Sequence, residues 1–185
     1  GEKGMTNMIG PLGFTDMDPE GMLTWGFDQI GTMATIYNYS YYPEHIEKLG
    51  GYDKDNDYVE YKLFVPEEVP EKYTKIAAMI EKRYNLHIKK LTKKDVIEGD
   101  YGRRIFEVIN TSFKDLYGYS ELSDKQVDQY VKMYFSMADL DIITLVEDWN
   151  ADKKLVGVGI SIPSLSKALQ KCRKGRLAPF GWWHV

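Results

Sequence analysis

Cysteine is nearly absent from this chain. The one thiol, Cys172, has no second to pair with, so an intrachain disulfide, a CxxC pair and a cysteine-rich zinc site are all excluded. Histidine is also scarce: His45, His87 and His184 are scattered without metal-ligand spacing, and no metal site is expected. No apolar run approaches the ~20 residues that span a bilayer, and the first residues lack a signal-peptide pattern. A soluble cytoplasmic protein is the resulting expectation, with no membrane partner. A Gly-x-Ser-x-Gly elbow and a P-loop are missing as well, and Cys172 has no histidine beside it in sequence.

What is present is ordinary in bulk and uneven in detail. Hydrophobic residues at 43% and charged residues at 28% fit a globular protein with one good core or two small ones in 185 residues. Tyrosine is abundant, with 14 copies. A large apolar ring with one polar tip suits the walls of a ligand groove and equally the rim of a core. From Lys153 onward there are seven Lys/Arg and no acid, against 17 bases and 28 acids before it. Such a basic tail is a candidate polyanion site or a solvated face that pairs with the acidic remainder. Nucleic-acid binding is disfavoured, because the net charge is −4 and no RNA-binding motif is visible.

Along the chain, residues 5–11 read as a helix end running into a short strand that Gly10-Pro11 stops. Residues 10–26 hold several glycines together with Asp16, Asp18 and Glu20. Their composition makes a loop whose backbone can approach a ligand closely, or a plain surface loop. The alternating acids could hold a hard cation, although acids so placed in a loop usually stay solvated. An aromatic run follows, Tyr37-Asn38-Tyr39-Ser40-Tyr41-Tyr42. Pro43 then opens a helix that ends at Gly50-Gly51. Residues 57–65 alternate like a strand with one wet face. Pro66 and Pro70, with Glu67 and Glu68, mark the best boundary, giving parts 1–70 and 71–185.

In the second part, Tyr73, Ile76, Ala77, Ile80 and Tyr84 have helical spacing over 71–84. A short strand follows at 87–91, then a helix over 100–113 with Ile105, Phe106, Ile109 and Phe113 on one face. Ser123-Asp124-Lys125-Gln126 is a capping box that starts a helix through Phe135. Residues 141–147 and 155–162 form a β-hairpin around the turn residues 148–153. Ser164 caps a short basic helix ended by Gly175, and the apolar Pro179-Phe180-Gly181-Trp182-Trp183 is expected to dock. The predicted class is α/β (α+β): a mixed, mostly antiparallel sheet flanked by helices.

The order over His87–Ile162 of strand, two helices and antiparallel hairpin resembles the opening of a GNAT acyltransferase domain. Its hairpin residues Thr144–Asp148 and Lys154–Gly159 look like that superfamily's second and third strands. The first part resembles the end of such a domain, with a helix closing on Glu47-Lys48-Leu49-Gly50. Gly10-Pro11-Leu12-Gly13-Phe14-Thr15-Asp16, Ile162-Pro163-Ser164-Leu165-Ser166 and Pro179-Phe180-Gly181-Trp182, taken together, resemble a poorly characterised bacterial family with two GNAT-like domains.

The resemblance implies acyl transfer from an acyl-CoA, such as acetyl-CoA, to an amine; no other cofactor is required. Two departures stand against activity in this chain alone. The Arg/Gln-x-x-Gly-x-Gly/Ala turn that cradles the CoA pyrophosphate in backbone N–H groups is missing. Where the superfamily often has an acidic tyrosine, four residues before the helix-terminal glycine, stands Ile46, which has no proton to donate. Tyr42, one turn earlier, is the substitute candidate. Asn38 approximates the asparagine found near CoA, and Asp16, Tyr37, Tyr39 and Tyr41 are the candidate ligand-binding set. The alternative is a non-catalytic small-molecule-binding or scaffolding module that uses the same loop and aromatic run. Half-domain edges also predict a homodimer formed by exchange of elements.

Overall fold

The protein's structure, a computed structural model, describes residues 2–32, 34–137, 139–172, 176 and 183. The chain divides into two compact units: residues 1–60 with 163–185, and residues 61–162.

The first unit is mostly irregular backbone with two helices, α1 (Tyr41–Leu49) and α6 (Ser166–Lys171). Helix α1 begins two residues before Pro43, which still falls in the first turn, where no intrahelical bond needs its N–H. It ends where Gly50 adopts a positive φ of 67°, and the Gly50 N–H closes on the Glu47 carbonyl. Helix α6 starts at Ser166, whose N–H is accepted by the Ser164 hydroxyl at 3.4 Å. The Ser166 hydroxyl donates to the Gly31 carbonyl at 2.7 Å and so ties α6 to the loop before α1. The strand expected within 5–11 is not formed. Gly175 and residues 179–182 lie outside the described residues.

The second unit holds α2 (Glu71–Tyr84), β1 (Leu86–Lys90), α3 (Lys93–Ile97), α4 (Tyr101–Phe113), α5 (Asp124–Met137), β2 (Ile143–Asp148) and β3 (Lys154–Ile160). The sheet is three-stranded, ordered β1-β2-β3, and antiparallel throughout. The α+β class predicted from the sequence is therefore observed. Strand β2 is central and alternates buried with half-buried positions, so Ile143 and Leu145 point inward. With Leu91, Ile105 and Leu155 they form the core, over which Val108, Ile109, Phe135 and Val158 pack. Each fully buried aliphatic side chain contributes about 1.5–3 kcal/mol.

Helix α5 carries one half of the expected capping box: Gln126 Oε1 accepts from the Ser123 N–H at 3.0 Å and from the Ser123 hydroxyl at 2.6 Å. A second box, unanticipated, starts α3, where Thr92 and Asp95 satisfy one another's backbone N–H groups. Arg103 of α4 reaches α5, donating to Asp128 and standing 3.6 Å from Asp124. Close approach of the two helices depends on Gly102, where an added Cβ would lie 2.8 Å from a methyl of Val131.

A second expected strand is overturned as well. Residues 57–65 form no strand, and Tyr61, Leu63, Phe64 and Val65 are 78–91% exposed. An extended segment needs a neighbouring edge to receive its N–H and C=O groups, and this one has none among the described residues. Helix α2 forms as predicted, but its apolar row is not buried: Ile76 and Ile80 are both 39% exposed.

Candidate functional site

The loop over 11–21 is shaped by one carboxylate. Asp18 Oδ2 accepts from the Phe14 and Thr15 N–H groups, each at 3.0 Å. The Thr15 hydroxyl accepts from the Met17 N–H at 3.2 Å, and Thr15 is buried. This is the local side-chain-to-backbone bonding that lets Asp and Thr replace secondary structure in a turn. Gly13 is required, because a Cβ there would fall 2.2 Å from the Cβ of Asp18. The Gly21 N–H closes the loop on the Pro11 carbonyl at 2.7 Å. Asp18 is thus a structural residue, occupied by its own turn.

Asp16 and Glu20 are left half-buried on this loop. Desolvation holds the Asp16 carboxyl above its ordinary range. Glu20 is also raised, by desolvation first and by the charge of Asp16 second, while a hydrogen bond from Tyr58 opposes the shift. Two partly desolvated acids that repel one another would gain from a cation between or beside them. Among the described residues no cluster of three His, Cys, Asp or Glu side chains could hold a metal ion.

Asn38 joins the loop to the aromatic run. Its Oδ1 accepts from the Leu23 N–H at 2.6 Å, and its Nδ2 donates to the Leu23 carbonyl at 3.2 Å and the Tyr39 carbonyl at 3.1 Å. Both ends of the amide are therefore engaged with backbone. Beyond it the rings of Tyr39 and Tyr41 stack at 5.8 Å, those of Tyr41 and Tyr42 at 4.9 Å, and His45 tilts against Tyr41 at 5.1 Å. The Tyr41 phenol is raised above its ordinary range, chiefly by its hydrogen bond with Tyr42. Tyr37 is exposed and takes no part in this stack. Tyr42, a member of the stack, is 47% exposed. The candidate residues therefore fall into two groups, the acid pair Asp16–Glu20 and the stack Tyr39–Tyr41–Tyr42, with Asn38 as the strut that holds loop and run together.

A second polar cluster lies in the other unit and was not singled out from the sequence. Glu147 occupies the inward face of β2 in series with Ile143 and Leu145, yet it is only 4% exposed. Its carboxylate accepts from the Tyr101 hydroxyl and, at 3.2 Å, from the Trp149 indole N–H. The Arg104 guanidinium sits 4.3 Å from the Tyr101 ring centre and the Lys89 ammonium 5.4 Å. The His87 ring lies 4.0 Å from that of Trp149. Burial, then the bond to Glu147, keeps the Tyr101 phenol protonated well above neutrality, so it acts as a donor. The signal was legible: an acid at the third inward position of an alternating apolar strand needs a partner.

No family model and no solved structure matches the chain. The chain is 26% identical over 181 residues, 97% of its length, to a protein of Caulobacter vibrioides (strain NA1000 / CB15N) named bacterial ceramide synthase. It spans 45% of the length of that relative.

Proposed function

We propose that this chain is part of an N-acyltransferase of GNAT type, which moves an acyl group from an acyl-CoA to an amine. The observation that carries this reading is the similarity, along 97% of the chain, to a protein named ceramide synthase. Ceramide is a long-chain amino alcohol with an acyl group on its nitrogen, so that name describes amide formation. The order of β1, the helices, β2 and β3 supports the same reading, because it is the order in which a GNAT domain opens.

Amide formation from a thioester requires a neutral amine to attack the carbonyl, lose a proton and release a thiolate that gains one. In this chain Asp16 and Glu20 supply negative charge from half-buried positions on a solvent-open loop, which attracts an ammonium and can accept its proton. Tyr42 is the candidate donor to the thiolate, and Tyr37, Tyr39 and Tyr41 offer ring surface to an apolar ligand. Asn38 holds these parts in place and would contact CoA only by giving up its bonds to Leu23. Because the pyrophosphate turn is missing, the 185 residues alone bind CoA poorly and are inactive.

The test is to assay the protein that carries this chain together with its flanking sequence. A long-chain acyl-CoA and a long-chain amino alcohol should yield the N-acyl product by mass spectrometry, with one free thiol released per amide. No amide across a panel of acyl-CoA donors and long-chain amines would overturn the reading. Ile46, standing where the acid is usually found, favours a second reading as a non-catalytic binding module. Saturable binding of the amine with no turnover in the same protein would select it.

A further inference from the structure

No further inference is drawn: the strongest candidate, the exposed apolar face that Tyr73, Ile76, Ile80 and Tyr84 form on helix α2, carries nothing because nothing in the structure shows what covers it, the cations of α2 being offset in number by the acids of the helix and of the turn before it.

Discussion

The Tyr101 hydroxyl donates its hydrogen to the buried carboxylate of Glu147, joining the first residue of α4 to the inward face of β2. Tyr101→Phe keeps the ring under Arg104 and removes only the donor, leaving a buried carboxylate with the Trp149 N–H. A buried acceptor deprived of a partner costs about 1–3 kcal/mol, which should appear as a lower urea midpoint with an unchanged slope. The pH dependence has a definite sign. Tyr101 is raised above the ordinary phenol value of 10.0, so the folded protein holds this proton more tightly than the unfolded one. Its contribution is fully present below pH 10.0 and is lost as pH rises through the raised folded value. The gap between wild type and Tyr101→Phe should therefore narrow in alkali and stay constant near neutrality.

Glu20→Gln should stabilise the first unit at neutral pH. Folding raises the carboxyls of both Asp16 and Glu20, so the favourable part of their linkage lies below the ordinary carboxylate range and is lost as pH rises through the raised values. Where both are ionised, desolvation and mutual repulsion make the pair oppose folding. Glutamine keeps an acceptor for Tyr58 and removes the charge. Because the loop is open to solvent, the gain should be less than about 1 kcal/mol. Thermal melts at neutral pH and at pH 3 should show it present in the first and absent in the second; equal gains at both would contradict the assignment.

Gly102→Ala sets two effects against each other. Alanine raises helix propensity by about 1 kcal/mol. Its Cβ would also stand 2.8 Å from a Val131 methyl on the facing helix, and overpacking costs about 1–3 kcal/mol. The steric effect should win, giving net destabilisation by chemical denaturation. Adding Val131→Ala should reverse part of the loss, because that substitution removes the methyl in question.

Much of this molecule was readable in advance, and the reasons are local. The capping box at Ser123–Gln126, the glycines ending α1 and the helical spacing in α2 and α4 act within a few residues, so composition reveals them. The hairpin of β2 and β3 was legible because β-branched runs flank a cluster of turn residues. Residues 57–65 read just as clearly as a strand and are none, because pairing depends on a partner that may lie anywhere in space. The box at Thr92–Asp95 follows the same local rule as Ser123–Gln126 and could have been found. For the candidate site, the chain showed which residue types were present. It did not show that Asn38 spends its amide on Leu23, fifteen residues away.

By itself the sequence determined the extents of α2 and α4 and the apolar face of α4, since caps, glycines and periodicity act over one or two turns. It also determined that no disulfide braces the fold, because Cys172 stands alone. Only the tertiary structure decided that Glu147 is paired with Tyr101 and that β1 lies against β2. These outcomes depend on which surfaces meet across dozens of residues, and the desolvation that gives them their energies exists only once the chain has closed on itself.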